Sequence, residues 1–374
     1  MKKAVLICDD HYNGLGVARS LGLKKIPVIC ILTTDKECEK ALLSFSKYIE
    51  KIFYVNHNDD EIKKTMDIIA YENPCCDLFV YPLSDFASIF CDNHYSILPK
   101  NYIVPNANGN IRQFQNKITI ASALKEFGVN VPKHLEIDLS SKCFDWNCYP
   151  SIIKPVLSIE GNKSDIIIVQ NESELKNAIN TFRHVNYSRV MIEEYINGTN
   201  EYMIEILGAA RNDKIIFTPP IRKIREYPIK NGSTSFATIE AERNDCYLTE
   251  IDSFLRNIKY QGLFDIEYKY ADGKVYFIEL NFRNGAPSYI FTKRNANLAY
   301  WWCSSDNDIN YKNSGKRFMV EQRDFLHVHK KNISLFKWFF QYISSTHVFW
   351  MWRDCSPCIH YYKRLLKRKR KHEK

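Results

Sequence analysis

The sequence has no long apolar segment and few glycines. In its aromatic C-terminal region the longest stretch without a charged residue covers fifteen residues, Trp338 to Trp352, whereas a helix that crosses a bilayer needs about 20 apolar residues. The 13 glycines include the pair Gly14 and Gly16, but Arg19 stands where a dinucleotide-binding loop needs its third glycine. We therefore interpret this pair as a turn, and we exclude a spanning helix in the C-terminal region.

The sequence also lacks a cysteine framework, although it contains 12 cysteines. Cys355 and Cys358 form one C-x-x-C, without the second pair that a zinc site needs. Several other cysteines fall in apolar runs, where a small buried thiol is the usual explanation. The opening residues, MKKAVLICDDHYNG, hold five apolar residues before two aspartates, too few for the core of a signal peptide. We expect a cytoplasmic protein with reduced thiols.

The positive charge is confined to one end of the chain. The composition, 45% hydrophobic and 25% charged, is that of an ordinary globular protein and excludes a disordered or fibrous chain. The net charge of +9 depends on residues 363–374, which hold eight Lys or Arg and one Glu. A nucleic-acid-binding protein is expected to carry basic residues over its body together with a recognisable motif. Nucleic acid is therefore a disfavoured partner.

The first hundred residues alternate short apolar runs with helical patterns. The apolar runs occupy residues 4–8, 27–32, 52–55 and 78–81. Such runs, separated by helices, are typical of βαβ units and a parallel sheet. The sequence thus predicts an N-terminal α/β domain over residues 1–105.

Two acidic strands are predicted further along, at 262–270 and 274–283, joined by the hairpin signal Ala271-Asp272-Gly273. Glu279, Asn281 and Arg283 alternate along the second strand, so their side chains point to one face. Burying such a face without compensation costs several kcal/mol. Its oxygen donors suit Mg²⁺, and its arginine suits a phosphate or a carboxylate. The alternative is a solvated face of an antiparallel sheet.

Three upstream features are each weak evidence for a nucleotide site when taken alone. Lys154 lies in an apolar strand and needs an anionic partner, and a polar turn with Gly161 follows it. Lys117, near the start of a helix predicted at 115–127, is in isolation a surface charge. The run 192–196, followed by Gly198 and Glu201, suits a nucleoside. Its main chain would bind the base, and a carboxylate would bind the ribose hydroxyls.

The order of these features resembles the ATP-grasp superfamily. A lysine is followed by a Lys-Pro strand, a glycine-containing turn, Glu-Glu-Tyr-Ile-x-Gly, and an acidic hairpin that ends in Glu-x-Asn-x-Arg. The resemblance covers about residues 106–300. It implies an α/β protein, α+β in its ATP-grasp part, with a parallel-sheet pre-ATP-grasp domain followed by a two-subdomain ATP-grasp fold. The implied ranges are 1–105, 106–190, 191–325 and an aromatic and basic segment at 326–374.

Two further stretches are similar to one branch of that superfamily, the D-aspartate ligase-like carboxylate–amine ligases. One is the segment 222–228 with the Asn-Gly-Ser-Thr at 231–234. The other is 281–289, followed by Thr292 and the segment 295–301.

The resemblance implies an ATP- and Mg²⁺-dependent ligase that forms an amide or peptide bond through an acyl phosphate. Its substrate would be an amino acid or a cell-envelope or polysaccharide precursor. The implied nucleotide-binding residues are Lys117, Lys154, the turn at 158–164, Glu193, Glu194, Ile196 and Glu201. The implied magnesium ligands are Glu267, Glu279 and Asn281, and the implied binders of the acyl phosphate are Arg283 and Arg225. The alternatives are a non-catalytic ATP-grasp-fold binding protein docked on membranes and a carboxylase or carbamoyl-phosphate-type enzyme.

The C-terminal region combines aromatic residues with the basic tail. Residues 335–343 and 348–352 are rich in Phe and Trp and precede the polybasic end. This combination favours a segment that lies on an anionic membrane, which would place the protein at the inner face of the membrane. The alternative is a packed C-terminal helix with a solvated basic end.

Overall fold

The computed structural model covers a chain of 374 residues. It describes residues 1–34, 41–141, 144–157, 165–185, 187–196, 202–229, 232–241, 243, 245–294, 296–304, 311 and 316–372, with side chains as far as 366. The boundaries that the sequence predicts for the domains stay predictions.

A five-stranded parallel sheet forms the N-terminal part, as predicted. Its strands are β1 (Lys2–Cys8), β2 (Val28–Thr33), β3 (Ile49–Val55), β4 (Asp77–Pro82) and β5 (Tyr102–Ile103), in the order β3-β2-β1-β4-β5. The connecting helices are α1 (Tyr12–Gly22), α2 (Asp59–Glu72) and α3 (Asp85–His94). Both faces are buried, since Val5 packs with Ile62 of α2 while Leu6 packs with Leu21 of α1. This burial explains why the strands are continuous apolar runs.

The turn predicted at Gly14 and Gly16 is wrong, because both residues lie inside α1. A Cβ at Gly14 would stand 2.8 Å from Leu43, and one at Gly16 would stand 3.3 Å from the Cβ of Tyr289. The glycines therefore serve close packing of α1 against its neighbours.

A four-stranded antiparallel sheet follows. Its strands are β6 (His134–Asp138), β7 (Ser151–Pro155), β8 (Ile167–Val169) and β9 (Arg189–Glu194), in the order β6-β9-β7-β8. Helices α4 (Ile111–Phe114) and α5 (Lys117–Glu126) precede this sheet in the chain, and α6 (Glu172–His184) connects β8 to β9. Helix α6 buries Leu175, Ala178, Ile179 and Phe182. Their spacing places them on one stripe of the helix, which packs on this sheet.

An eight-stranded sheet forms the C-terminal part. Its strands are β10 (Tyr202–Arg211), β11 (Lys214–Phe217), β12 (Ile221–Tyr227), β13 (Ser233–Ile239), β14 (Gly262–Ala271), β15 (Lys274–Asn281), β16 (Arg317–Met319) and β17 (Ser345–His347). The order is β15-β14-β10-β12-β13-β16-β17, with β11 paired to β10. The predicted hairpin is confirmed: Asp272 (φ 48°) and Gly273 (φ 76°) form the two-residue loop between β14 and β15. Positive φ at both positions is the requirement of a type I′ turn.

The remaining helices are α7 (Leu248–Asn257), α8 (Tyr289–Thr292), α9 (Leu298–Ser304), α10 (Glu321–Asp324), α11 (Leu326–His329), α12 (Leu335–Ile343) and α13 (Ser356–His372). A fully buried ion pair ties the end of the chain to α1: the Nε of Arg19 lies 2.9 Å from Oδ2 of Asp354. The same guanidinium donates to the carbonyls of Val348 and Phe349. Among the described residues, no helix combines the length and the apolar character that crossing a bilayer requires.

Candidate active site

Three glutamates form a row across three neighbouring strands. Glu205 of β10 pairs with Glu267 of β14, and Glu267 pairs with Glu279 of β15. Two residues away along each strand, Asp265 of β14 pairs with Asn281 of β15. Because side chains alternate along a strand, these five side chains share one face of the sheet. We call Glu205, Asp265, Glu267, Glu279 and Asn281 the acid row.

The acid row therefore unites the three predicted magnesium ligands, Glu267, Glu279 and Asn281. It adds two carboxylates that the sequence did not single out. Asp265 lies two residues before Glu267, so strand alternation alone gave a signal for it. Glu205 is 62 residues before Glu267, and only the strand register brings the two together.

Crowding and burial change the protonation of the acid row. Burial, with the charge of Glu267 added, raises the pKa of Glu205 to about 7. Burial, followed by the charges of Glu205 and Glu267, also raises the pKa of Asp265 well above its usual range. Oδ1 of Asp265 is buried and makes no hydrogen bond to any described residue. Two carboxyl groups of this face thus hold a proton more tightly than they would in water.

The donor set of the acid row fits magnesium. Carboxylate and amide oxygens are the hard ligands that this ion prefers, and the orphaned Asp265 oxygen lies among them. Within the described ranges, no three acidic, histidine or cysteine side chains converge into a closed metal-binding group. Mg²⁺ usually keeps several waters and binds through one or two carboxylates plus substrate phosphates, so an ion that arrives with a nucleotide needs no closed group.

The two predicted phosphate lysines lie close to the acid row. The backbone N–H of Lys117 donates to the carbonyl of Val156 over 3.1 Å, which places the start of α5 beside the end of β7. Burial lowers the pKa of Lys117, and the charge of Glu279 opposes that effect while the charge of Lys154 adds to it. The ammonium of Lys117 therefore lies in the electrostatic field of both Glu279 and Lys154.

Lys154 is buried and paired. Its Nζ donates to Oε1 of Glu193 over 2.9 Å, and both side chains are over nine-tenths buried. Glu193 is thus the counter-ion of Lys154, which an ammonium in an apolar strand requires. A nucleotide phosphate would have to compete with Glu193 for this lysine.

The segment predicted to bind adenine joins the four-stranded and the eight-stranded sheets. The N–H groups of Glu194 and Tyr195 donate to the carbonyls of Lys133 and Pro150, and Ile196 is buried. The ammonium of Lys269, on β14, lies 4.4 Å from the centre of the Tyr195 ring. Glu201 and the turn at 158–164 lie outside the described residues.

Arg283 connects the acid row to the N-terminal sheet. Its Nε donates to Oδ1 of Asp85 over 2.7 Å, and its Nη2 donates to Oδ1 of Asn281 over 3.2 Å. Next to it, the amide of Asn284 donates to the Asn13 side chain over 2.7 Å, and the Asn13 amide donates back to the carbonyl of Asn284. Asp85 and Asn13 follow β4 and β1, the adjacent strands where the sheet order reverses. In open parallel sheets, ligands bind beside the carboxyl ends of strands at such a reversal.

A cavity of about 310 Å³ lies at this junction. We call it the reaction cavity. Its polar lining includes Asn13, Ser84, Asp85, Glu205, Lys223, Ser233, Thr234, Asp265, Glu267 and Arg283. The contribution of Asn13, Ser84 and Asp85 could not be expected from the motifs, because it depends on which strands become neighbours.

Arg225 does not reach the reaction cavity. Its Nε and Nη2 donate to the two carboxylate oxygens of Asp324 over 3.0 and 2.7 Å. Lys223, two residues earlier, lines the cavity instead, with its Nζ 4.0 Å from Oε2 of Glu267. The strand register is irregular on both sides of Arg225. The structure thus gives Arg225 a structural ion pair and offers Lys223 as the second cation.

Replacing Glu205 with glutamine should stabilise the metal-free protein at alkaline pH. The folded state raises the pKa of Glu205 from 4.5 to about 7, so it holds the proton more tightly than the unfolded chain does. The resulting stabilisation is complete below pH ~4.5 and is lost as the pH rises through ~7. In EDTA, Glu205→Gln should raise the free energy of unfolding by about 2–3 kcal/mol at pH ~8 and change it little at pH ~5.

Urea denaturation at the two pH values measures this difference. Glu136→Gln is the matched control, because Glu136 pairs with Arg189 at the surface of the four-stranded sheet. An equal gain at both pH values would contradict the titration of Glu205 as its cause.

Comparison with known proteins gives one consistent result. Residues 114–287 match the family model for the ATP-grasp domain, a range that contains Lys117, Lys154 and the acid row. The chain is 22% identical over 229 residues to the D-aspartate ligase of Enterococcus faecium, an alignment that covers 55% of this chain and 53% of that protein. It is 24% identical over 237 residues to a formate-dependent phosphoribosylglycinamide formyltransferase of Wolinella succinogenes, covering 61% of this chain and 58% of the relative. The chain thus spans little more than half the length of these curated relatives.

A solved structure supports the same fold. The N5-carboxyaminoimidazole synthetase of Staphylococcus aureus complexed with ADP superposes with a TM-score of 0.66 at 14% sequence identity. The superposition covers 89% of this chain and 86% of that one. Residues 114–287 therefore carry an ATP-grasp domain, the solved structure shows the same fold over most of the chain, and the chain is similar to a D-aspartate ligase.

Proposed function

We propose that this chain is an ATP- and Mg²⁺-dependent carboxylate–amine ligase that forms an amide or peptide bond through an acyl phosphate. The observation that carries the proposal is the acid row: Glu279 acts on the ammonium of Lys117, while Glu205, Asp265 and Glu267 line the reaction cavity. Phosphoryl transfer needs cations and metal-binding oxygens around one small volume, and a solvated sheet face would not bury the side chains of Glu205 and Asp265.

The nucleotide side of the site is assigned to two lysines and one strand end. Lys117 and Lys154 bind the phosphates, and Lys154 exchanges its contact with Glu193 for a phosphate oxygen. The main chain between Glu193 and Ile196 takes the adenine, and Glu201 takes the ribose. Magnesium held by Glu267, Glu279 and Asn281 would neutralise the charge that the phosphates develop.

The substrate side lies in the reaction cavity. The carboxylate oxygen of the substrate attacks the γ-phosphorus of ATP, which forms the acyl phosphate and releases ADP. The amine nitrogen then attacks the acyl carbon, a C–N bond forms, the C–O bond to phosphate breaks, and phosphate leaves while the amine proton passes to solvent. Arg283, fixed by Asp85 and Asn281, and Lys223 hold the acyl-phosphate oxygens. At least one of the two substrates is an amino acid or a precursor of the cell envelope or of a polysaccharide.

An ADP-release assay tests the proposal. The purified chain is incubated with MgATP and with pools of amino acids and of small carboxylates, and ADP is measured. We expect release that depends on both a carboxylate and an amine, and a hydroxamate when hydroxylamine replaces the amine. Release with bicarbonate alone would support a carboxylase instead. Tight MgADP binding without turnover in any pool would support a non-catalytic binding protein.

We also propose that helix α12 and the basic tail dock the protein on an anionic lipid surface. Trp338 and Tyr342 face inward, where the Trp338 Nε1 donates to Asp324 over 3.0 Å and its ring stacks on Tyr342. The other side of α12 exposes Phe336 (74%) and Phe340 (50%). An apolar, aromatic face of this kind, which the described part of the chain leaves exposed, suits the interfacial region of a bilayer.

Charge complementarity selects lipid as the occupant of this face. Residues 367–374 contain six Lys or Arg and one Glu, and basic residues near an anionic membrane contribute about 1 kcal/mol each. In an interface with another copy of this chain, the two basic tails would instead repel each other.

Replacing Phe336 and Phe340 with serine should abolish binding to phosphatidylserine-containing vesicles. Co-sedimentation of the full chain should show binding to these vesicles, weakened by salt, and little binding to phosphatidylcholine alone. Ile68→Ser with Tyr71→Ser, two exposed apolar residues of α2, is the matched control and should bind as the wild type does. Equal binding by the Phe variant, or dimers that disappear in it, would reject the lipid in favour of another occupant.

A further inference from the structure

A second cavity, of about 330 Å³, lies beside the reaction cavity, and the two share His11 and Tyr12 as lining residues. We call it the outer cavity. Tyr12 is 5% exposed and stands between the charged groups of the two cavities, since Arg323, Glu205 and Lys223 all act on its hydroxyl. A substrate that extends past Tyr12 would therefore occupy both cavities.

The outer cavity is built entirely outside the matched domain at 114–287. Its walls come from the segment after β1, the 3₁₀ turn Leu42–Phe45, helix α10, Phe349 and the first turns of α13. The chain can thus vary this cavity without touching Lys117, Lys154 or the acid row. That arrangement is expected of a region that selects the substrate.

The charge of the outer cavity is positive. Arg323 and Arg364 line it, and no carboxylate of the described residues lies within ion-pair distance of either guanidinium. Arg323 instead lies 5.2 Å from the centre of the Tyr12 ring. The acidic group in the lining, Asp10, accepts the Leu42 N–H over 2.8 Å and lies in the electrostatic field of Arg364, so two guanidinium groups face one carboxylate.

Two further observations point to a ligand. Both polar atoms of the Gln322 amide are buried, and neither makes a hydrogen bond to a described residue, whereas buried polar groups in folded proteins are nearly always paired. Phe45 and His360 stack with ring centres 3.6 Å apart and planes within 9°, which gives the cavity a flat aromatic wall.

We infer that the outer cavity binds the remote part of a substrate, an anionic group (a carboxylate or a phosphate) carried on an apolar or aromatic body. This inference rests on the proposed function for the identity of the reacting end, which lies in the reaction cavity. Arg323 and Arg364 hold the anion by charge-assisted hydrogen bonds, and the Gln322 amide donates and accepts beside them. The aromatic wall covers the apolar body.

Calorimetric titration of the full chain with small probes tests the inference. Phenyl phosphate, benzoate and benzyl alcohol are titrated with MgADP present at saturation, so that the phosphate lysines are occupied. We expect the anionic probes to bind at least tenfold more tightly than benzyl alcohol, and the stronger of the two identifies phosphate or carboxylate as the preferred group. Arg323→Gln and Arg364→Gln should each weaken that binding at least tenfold.

Lys363→Gln is the matched control, because it removes one positive charge from the same helix outside the cavity lining; it should change the affinity less than twofold. Equal affinities for the three probes, or arginine variants that bind as the wild type does, would overturn the inference. MgADP binding is measured separately: Lys154→Ala should lose it while keeping probe binding in the absence of nucleotide. Arginine-dependent probe binding in a chain without ligase turnover would reject the proposed reaction and leave the anion site standing.

Discussion

Replacing Glu279 with alanine is expected to lower ATP turnover by about a hundredfold or more, and Asn281→Ala should do the same. Loss of a group that only supports a metal ligand already costs about 10–100-fold, and these two side chains are assigned to the metal itself. Glu279 has a second role, because it is the acidic group whose charge most strongly opposes the effect of burial on Lys117. Its removal therefore weakens the lysine side of the site as well.

Turnover is measured as ADP release at saturating MgATP, and far-UV circular dichroism and the unfolding midpoint confirm that each variant is folded. Glu136→Gln, on the surface of the four-stranded sheet, should keep wild-type turnover. If Glu279→Ala and Asn281→Ala both retain full activity, the magnesium assignment is wrong, whatever the substrates prove to be.

Breaking the buried pair between Arg19 and Asp354 should cost about 3–5 kcal/mol of stability. Arg19→Ala leaves the Asp354 carboxylate with the Ser46 hydroxyl and the Lys47 N–H as its neutral donors, and it also removes the donors to the carbonyls of Val348 and Phe349. The expected result is local: the segment 348–354 should separate from α1 before the sheets unfold.

Hydrogen exchange measures this opening directly, because it reports the free energy of local unfolding. Amides in 348–354 should exchange through an opening that is about 3–5 kcal/mol easier in Arg19→Ala than in the wild type. The double variant Arg19→Met with Asp354→Leu, which removes both charges, should recover most of the loss. Lys51→Ala, which breaks an exposed pair with Glu72, should change stability by less than about 1 kcal/mol. Slow exchange that persists in Arg19→Ala would contradict the role of the pair.

Local patterns carried most of what the sequence predicted correctly. The hairpin at 271–273 and the alternation of Glu279 and Asn281 are properties of neighbouring residues, and the structure confirms both. Arg283 lies beyond the strand, which ends at Asn281. The parallel sheet was predictable for the same reason, since each apolar run and each following helix is short and continuous. Strand alternation also places Asp265 on the same face as Glu267, although the motif indicates only Glu267.

The parts that could not be predicted depend on strand register and strand order. Glu205 joins the acid row only because β10 lies beside β14 in one register. Asp85 reaches Arg283 because β4 neighbours β1 where the sheet order reverses. For Arg225 the sequence context resembled a ligand-binding stretch, but it did not indicate the irregular register or the ion pair with Asp324.

The reciprocal amide pair between Asn13 and Asn284 has a consequence for the order of synthesis. The two residues are 271 positions apart, and at about 5–20 residues per second a ribosome needs roughly 15–55 s to add that many. During this interval the edge of the N-terminal sheet that carries Asn13 has no Asn284 to cover it. The nascent chain therefore keeps the sheet edge that later lines the reaction cavity exposed for tens of seconds, and a chaperone that covers this edge would act in that interval.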